Sequence, residues 1–216
     1  PPPPHRATVP FIDAVIDAQA PPFVLGAGAP VDAPEALAGT ATILREALGL
    51  GGDVDPDAPR IVLRVDEELG AEESFRVDVT ADRVELTGAA PVGVFRAAMT
   101  LRQMCAPEGA IATRIPAGAW RGAPAYGWRG AMLDARHFRP ADDIRRLIDL
   151  LAAHHLNVLH LHLTDDQGWR FEVPGYPRLT DIGARRDATQ VGHGPLATVE
   201  AGVHEGHYTT AELRGL

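Results

Sequence analysis

The feature that most constrains the fold is a pair of apolar segments joined by an amphipathic helix in the second half of the chain. GAMLD (130–134) predicts a short strand, and LNVLHLHL (156–163) predicts a second one. Between them, ADDIRRLIDLLAAHH (141–155) repeats apolar residues at helical spacing, and Pro140 favours a helix start. The second strand is apolar on both faces, which is typical of a parallel strand covered by helices. The sequence therefore predicts a β-α-β unit.

Polar residues cluster directly after the second of these strands. Thr164, Asp165, Asp166 and Gln167 follow one another there. In parallel α/β folds the ligand lies at the carboxyl ends of the strands, so at least one of the two carboxylates is predicted to be a site residue. Neighbouring side chains diverge, which argues against an acid/base pair made of both. The alternative is that they cap the loop.

Two histidines precede this cluster with one residue between them. His160 and His162 point to the same face of a strand, a spacing that occurs in zinc hydrolases. The alternative is that both are core histidines bonded to their neighbours. No further ligand set follows at barrel-like intervals, so the second interpretation is favoured and no metal or other cofactor is expected.

Further candidate ligand contacts lie near the two strands. Arg136 and His137 follow the first strand, where an arginine can donate several hydrogen bonds to sugar hydroxyls. The alternative is an exposed arginine in a loop. Trp128 and Trp169 could stack on a sugar ring, although a tryptophan at either place more often packs in the core.

The first half of the chain has a different pattern. It predicts strands and helices in the order β-α-β-β-β-α, at residues 22–28, 32–52, 60–67, 75–80, 83–88 and 91–105. Asp32 is predicted to cap the first helix and Gly51-Gly52 to end it. These elements predict a small α+β domain, with helices on one face of an antiparallel or mixed sheet.

The boundary between the two patterns is predicted at a stretch rich in Ala, Gly and Pro, residues 106–124. We therefore divide the chain into a leader or linker at 1–19, an α+β domain at 20–122, and a second domain at 123–216. Within the second domain, residues 183–207 are Gly-rich and are predicted to be a long irregular loop. Thr209 and Glu212 then form a capping-box pattern that opens a helix.

Composition excludes some classes of function. The chain has 29 acidic and 20 basic residues and a formal net charge of −9, which disfavours binding to nucleic-acid phosphates. No apolar run approaches the roughly 20 residues that span a bilayer, so no membrane partner is expected. The single Cys105 allows no intramolecular disulfide, and the first residues, PPPPHRATVP, lack a signal-peptide pattern and an initiator Met. We expect that upstream sequence has been removed or was never included; the compartment and oligomeric state stay open.

The residues of both halves resemble glycoside hydrolase family 20, the β-N-acetylhexosaminidases. In the second half the resembling segments are WRG (128–130), LD (133–134), RHF (136–138), Pro140, LNV (156–158), HLHLTDDQGWR (160–170), PRLT (177–180), IGA (182–184) and YT (208–209). In the first half, RVELTGAAPVGVFRAAMTLRQM (83–104) is similar to the family's small non-catalytic α+β domain. The resemblance implies an α+β domain followed by a (β/α)8 TIM barrel.

The resemblance also implies an activity and site residues. Such enzymes remove terminal β-linked N-acetylglucosamine or N-acetylgalactosamine with retention, using the substrate's own acetamido oxygen as nucleophile. By position, Arg136 resembles the arginine that grips the terminal sugar, Asp165 an aspartate that supports the active site, and His162 a histidine beside it. Only Ala135 separates Asp134 from Arg136, one residue fewer than is usual in the family, which predicts a displacement of about 3 Å.

The resemblance further predicts that the catalytic machinery is incomplete within these 216 residues. The family's Asp-Glu pair, which orients the acetamido group and protonates the leaving oxygen, lies on the fourth barrel strand, and this sequence contains only two. We expect an incomplete barrel and no hydrolysis by this chain alone. The alternatives are a truncated, non-catalytic module with an interaction role and a zinc-dependent barrel hydrolase that uses His160 and His162.

Overall fold

The computed structural model describes residues 12–105, 113–134, 137–192 and 194–216. The chain folds into two compact units, Pro1–Gly127 and Trp128–Leu216. Each unit has its own buried cluster, so each is described by itself.

The first unit is an α+β fold built on a mixed sheet. Its strands are β1 (Ile12–Ile16), β2 (Phe23–Leu25), β3 (Val31–Asp32), β4 (Arg60–Val65), β5 (Phe75–Val79), β6 (Arg83–Gly88), β7 (Thr113–Ile115) and β8 (Gly118–Gly122), and its helices are α1 (Ala38–Ala47) and α2 (Pro91–Met104). Six strands form one sheet in the order β1-β8-β5-β6-β4-β3. β4 is parallel to β3 and β6, while the other pairs are antiparallel. The mixed alternative of the sequence prediction is therefore confirmed.

The two faces of this sheet differ in polarity because strand residues alternate. The buried face carries Ile61, Val77 and Leu86, which pack with apolar residues of α1 and α2 into one core. The opposite face carries ion pairs such as Arg76 with Asp78. An alternating strand pattern is expected where helices cover only one side of a sheet. The sequence predicted helices on one face, and α1 and α2 pack on the buried face.

Several local predictions in this unit are wrong. Asp32 does not cap α1: it lies in β3, and its carboxylate is 3.2 Å from Arg60. α1 ends at Ala47, where Gly49 adopts a positive φ of 66° and the Leu50 N–H donates to the Arg45 carbonyl. A left-handed glycine terminates a helix at low steric cost, so the helix stops before the predicted Gly51-Gly52.

Three strands were also missed because their pairing partners are distant in the chain. β1 lies in the predicted leader, and β7 and β8 lie in the predicted irregular stretch. β8 pairs with both β1 and β5, so hydrogen bonds to other strands hold a segment that has little strand pattern of its own.

The second unit is built around the predicted β-α-β motif. Its strands are β9 (Gly130–Asp134), β10 (Val158–His162), β11 (Thr164–Asp165), β12 (Gly168–Trp169), β13 (Arg185–Val191) and β14 (Thr198–Glu205), and its helices are α3 (Ala141–Ala153), α4 (Arg178–Asp181) and α5 (Thr210–Arg214). β9 and β10 are parallel, with Gly130 opposite Val158 and Asp134 opposite His162. The β-α-β prediction is confirmed.

α3 covers one face of this strand pair. Its Ile144 is fully buried and packs with Leu133, Leu159 and Leu161. On the other face, Met132 is 58% exposed. His160 of β10, which lies opposite Met132, is exposed as well, so within the described residues α3 covers one face of the strand pair.

The Gly-rich stretch 183–207 was predicted to be irregular, and this is wrong. β13 and β14 pair along it as an antiparallel hairpin, with a register shift between Arg186 and Ala188. β14 alternates Val199, Ala201 and Val203, but these residues are exposed, so the pattern does not mark a buried face. Among the described residues, no helix is long and apolar enough to cross a membrane.

The predicted capping box opens α5. The Thr209 hydroxyl accepts from the Glu212 N–H, and a Glu212 carboxylate oxygen accepts from the Thr209 N–H at 2.8 Å. Glu172 adds a third contact, since its carboxylate accepts from the Thr210 N–H at 2.9 Å. These bonds satisfy N–H groups that have no partner within the helix.

The cap predicts that α5 loosens in acid. The Thr209 N–H lowers the pKa of Glu212 below its usual 4.5, and the Thr210 N–H does the same for the pKa of Glu172. A lowered carboxyl pKa stabilises the folded form above the ordinary pKa, and this contribution is lost as pH falls through the lowered value. We expect the exchange protection of the Leu213 and Gly215 amides to fall as the pH drops below the ordinary carboxyl pKa of 4.5 and through the lowered values. NMR hydrogen exchange measures this protection as a function of pH. Glu212→Gln should reduce its pH dependence. An unchanged pH dependence in that variant would contradict the role of the Glu212 carboxylate.

Candidate functional site

The candidate site begins where β10 ends. The chain turns through the short β11–β12 pair, which places Asp165 opposite Gly168. His162 Nε2 lies 3.0 Å from the Thr164 carbonyl oxygen and 3.2 Å from Asp165 Oδ2. Two acceptors at one nitrogen place the proton on Nε2. The structure thus brings together two of the three sequence-predicted substrate contacts.

The two adjacent aspartates have different surroundings, as the sequence predicted. Asp165 Oδ1 accepts from the Asp166 N–H at 2.8 Å, and its other oxygen faces His162. Asp166 is exposed. A carboxylate that holds an imidazole in one tautomer orients the ring, so Asp165 and His162 can act together, whereas the Asp165–Asp166 pair has no shared partner in the described structure.

The third predicted contact, Arg136, lies outside the described residues, together with Ala135 and the predicted displacement of the loop. The flanking positions are described. Asp134 ends β9 directly opposite His162, so the two strand ends meet at one edge. On the carboxyl-terminal side of Arg136, His137 Nδ1 is 3.3 Å from Arg186 Nη2.

A buried arginine fixes the loop that carries Asp165. Arg170 is fully buried, and its Nη1 donates to the carbonyls of Ala184 at 2.6 Å and Gly206 at 2.9 Å. Arg186 Nη1 donates to the Gln167 carbonyl at 2.6 Å. Burial lowers the pKa of Arg170, and the nearby charge of Arg186 lowers it further. The two guanidinium groups connect the β11–β12 turn to the base of the β13–β14 hairpin.

The same hairpin also holds the chain that follows β9. His204 Nε2 accepts from the Phe138 N–H at 2.8 Å, and the His204 ring meets the His137 ring edge-on at 5.4 Å. The Tyr208 hydroxyl donates to the Arg139 carbonyl at 2.6 Å, and burial raises the pKa of Tyr208. Sequence analysis gave no role to Arg170, Arg186 or His204. For Arg170, its place between two aromatic residues just after a strand end is a signal that could have identified it.

An open cleft of about 850 Å³ borders Asp165; its wall includes Trp169, Tyr176, Arg178 and Ile182. Trp169 stacks on Phe171 with ring centroids 4.9 Å apart. Its indole N–H donates to the Phe171 carbonyl at 2.6 Å. Trp169 is therefore packed as well as exposed to the cleft, whereas Trp128 is 66% exposed and does not line it.

The metal interpretation gains no support from the described residues. His160 is exposed and lies opposite Met132, while His162 faces Thr164 and Asp165. Within the described ranges, no three His, Cys, Asp or Glu side chains are grouped so that they could hold a metal ion.

Two family models match the chain. The model described as glycosyl hydrolase family 20, domain 2, matches residues 5–120. The model described as glycosyl hydrolase family 20, catalytic domain, matches residues 126–216. Together they account for both compact units.

Individual relatives agree with these matches. A β-N-acetylhexosaminidase of Cellulomonas fimi is 39% identical over 204 residues, which cover 89% of this chain and 40% of the relative. A β-hexosaminidase of Akkermansia muciniphila is 39% identical over 162 residues, covering 74% of this chain and 31% of the relative. The chain thus spans less than half the length of each.

Solved structures share the fold. A family 20 exo-β-N-acetylglucosaminidase of Vibrio harveyi in complex with N-acetylglucosamine superposes with a TM-score of 0.76 and 27% identity, covering 94% of this chain and 32% of that one. A β-N-acetylhexosaminidase of Streptomyces coelicolor gives 0.73 and 28%, covering 94% and 41%. The fold is therefore an α+β domain followed by the start of a TIM barrel.

Proposed function

Because this chain belongs to glycosyl hydrolase family 20, we propose that it contributes to the exo-hydrolysis of terminal β-linked N-acetylglucosamine or N-acetylgalactosamine from glycans. The observation that carries the proposal is the His162–Asp165 contact of 3.2 Å at the carboxyl end of β10. That edge of a parallel barrel is where substrates bind. Neither nucleic acid nor a membrane is needed as a partner in this reaction.

Each of the three predicted contacts has a proposed role toward the terminal sugar. Asp165 supports the active site from the strand end and holds His162 in one orientation, because its carboxylate faces the ring nitrogen. Arg136 donates hydrogen bonds to sugar hydroxyls; its role rests on its place in the sequence after β9. These groups bind and orient the substrate and transfer no proton.

The chemical step needs groups beyond these three. In substrate-assisted catalysis the acetamido oxygen attacks the anomeric carbon, the glycosidic oxygen takes a proton as it leaves, and water later opens the cyclic intermediate with retention. The proposed acid is a glutamate, and the neighbouring aspartate orients the acetamido group. Neither is assigned to any of the 216 residues. We therefore propose that this chain binds part of the substrate and does not turn it over alone.

A chimera tests this function. In it, the present chain replaces the matching 40% of the Cellulomonas fimi relative, and release of p-nitrophenol from p-nitrophenyl N-acetyl-β-glucosaminide is measured. We expect turnover by the chimera and none by the 216-residue chain. Asp165→Asn should lower kcat/KM of the chimera by about 100-fold, the order expected for losing a charged group that orients the site.

The matched control is Asp149→Asn, which changes an exposed carboxylate on α3. It should leave the rate unchanged. If the folded chimera keeps its full activity after Asp165→Asn, the proposed role of Asp165 at the end of β10 is wrong. Turnover by the purified chain itself would contradict the proposal that this chain binds part of the substrate without hydrolysing it alone.

A further inference from the structure

Two side chains of the β13–β14 hairpin contact the loops that follow β9 and β10. Arg186 of β13 and His204 of β14 lie directly opposite each other in the register of the hairpin, and we name them the Arg186–His204 pair. Side chains at opposite positions of an antiparallel pair project from the same face. Both are half-buried, so the hairpin presents them together to the neighbouring segments of the second unit.

The guanidinium of Arg186 joins three segments. Its Nη1 donates to the Gln167 carbonyl at 2.6 Å, in the turn between β11 and β12, and its Nε donates to Thr189 Oγ1 at 2.9 Å. Its Nη2 lies 3.3 Å from His137 Nδ1, in the segment that follows β9. A guanidinium is planar and holds its donors in a fixed fork, so one rigid group sets the position of the Gln167 carbonyl relative to the His137 ring.

His204 holds the segment after β9 a second time. Its Nε2 accepts from the Phe138 N–H at 2.8 Å, and its ring meets the His137 ring edge-on with centroids 5.4 Å apart. The chain just after β14 also packs closely here, since a Cβ added at Gly206 would overlap the Phe138 ring. His137 therefore contacts both members of the Arg186–His204 pair, and Phe138 is held through its backbone.

The segments held in this way adjoin the proposed sugar contacts. Asp165 lies two residues before Gln167, and Arg136 directly precedes His137 in the sequence. A displacement of about 1 Å at an orienting group can reduce a rate by about 100-fold. Side chains that fix both segments can therefore control substrate binding without touching the substrate.

We propose that Arg186 and His204 are positioning residues that fix the spacing between the segment after β9 and the β11–β12 turn, and thereby the hold on the terminal sugar. The inference rests on the proposed function, which gives these two strand ends their sugar contacts. Arg186 also borders the cleft, but each of its three side-chain nitrogens faces a protein acceptor. The pair therefore orients protein groups and transfers no proton.

Kinetics of the chimera with the Cellulomonas fimi relative test this role, with p-nitrophenyl N-acetyl-β-glucosaminide as substrate. Arg186→Met and His204→Leu should each raise KM by about 10-fold, the lower end of the loss expected when an orienting group is removed. kcat should change by less than about 3-fold, because interactions made equally in the ground state and the transition state affect KM alone. Damage to folding would instead lower kcat at an unchanged KM, since less enzyme would be active.

Further variants separate the hydrogen bonds from the loss of a side chain. Arg186→Lys keeps the charge without the fork and should keep the raised KM. His204→Gln supplies another acceptor for the Phe138 N–H and should return KM to within about 3-fold of the parent value. The matched controls are Arg146→Met on α3 and His154→Leu at its C-cap, both exposed, which should leave KM unchanged.

The double variant Arg186→Met/His204→Leu tests whether the two residues act as one unit. It should raise KM by less than the product of the two single effects, because both side chains hold the same segment. The inference is overturned if either single variant keeps the parent KM, if only kcat falls, or if the two effects multiply. In those cases Asp165→Asn still lowers kcat/KM and the proposed function stands. A folded parent chimera without turnover overturns the proposed function, and the role of the pair falls with it.

Discussion

Replacing Arg170 with methionine is expected to destabilise the second unit by about 3 kcal/mol. The guanidinium is fully buried and donates to the carbonyls of Ala184 and Gly206, which stay buried when the donors are removed. A carbonyl left without a donor retains its full desolvation cost. Methionine fills part of the space with a flexible apolar chain, so the loss reflects missing hydrogen bonds more than a cavity.

Hydrogen exchange measured by mass spectrometry localises the effect. We expect faster exchange in peptides from β11–β12 and from the base of the β13–β14 hairpin, with no change in the first unit. Arg146→Met is the matched control, because the Arg146 side chain is 81% exposed and pairs with Asp143 at 3.7 Å. Such a surface pair contributes at most about 1 kcal/mol. Equal exchange in the two variants would show that Arg170 does not hold these segments together.

Gly88→Ala is expected to destabilise the first unit by about 3 kcal/mol. Gly88 ends β6 where the strand meets the start of α2, and an added Cβ would lie 2.1 Å from the Val94 nitrogen and 2.3 Å from the Gly93 carbonyl carbon. Both atoms are backbone, so no side chain can rotate away. α2 would have to move off the sheet, which opens the core around Val94 and Leu101.

The matched control makes the same chemical change where there is room. Gly39 lies in α1, and a Cβ there would meet no atom within 4 Å. Alanine is a better helix former than glycine, so Gly39→Ala should be neutral or stabilise by up to about 1 kcal/mol. Urea unfolding with a probe in each unit measures both. A Gly88→Ala variant as stable as the parent would mean that α2 tolerates the displacement.

The elements with strong local patterns were predictable. β9, α3 and β10 follow from two apolar segments around an amphipathic helix, and the β5–β6 pair follows from period-two alternation joined by a short turn. The capping box at Thr209 was predicted because all of its hydrogen bonds lie within four residues. In these places the information that specifies the structure lies close together in the sequence.

The missed elements depend on distant partners. β1 and β8 are strands because each pairs with the other across more than a hundred residues, with Ile12 opposite Gly122. β13 and β14 are mostly exposed, and the alternating Val199, Ala201 and Val203 of β14 lie in a Gly-rich stretch, so these strands depend on their pairing with each other. Local propensity is weak evidence for a strand, since pairing and packing decide its stability.

The candidate site shows the same division. From the sequence, local patterns predicted the β-α-β unit, and the resemblance to glycoside hydrolase family 20 gave the family and the prediction of His162 and Asp165 as site residues. Only the tertiary structure decided that Asp165 faces His162, that Arg170 and Arg186 hold the intervening turn, and that Tyr176 and Arg178 share a cleft with Asp165. Most of these contacts join segments far apart in the chain, and a side chain's neighbours across such distances follow from packing, which local sequence patterns do not encode.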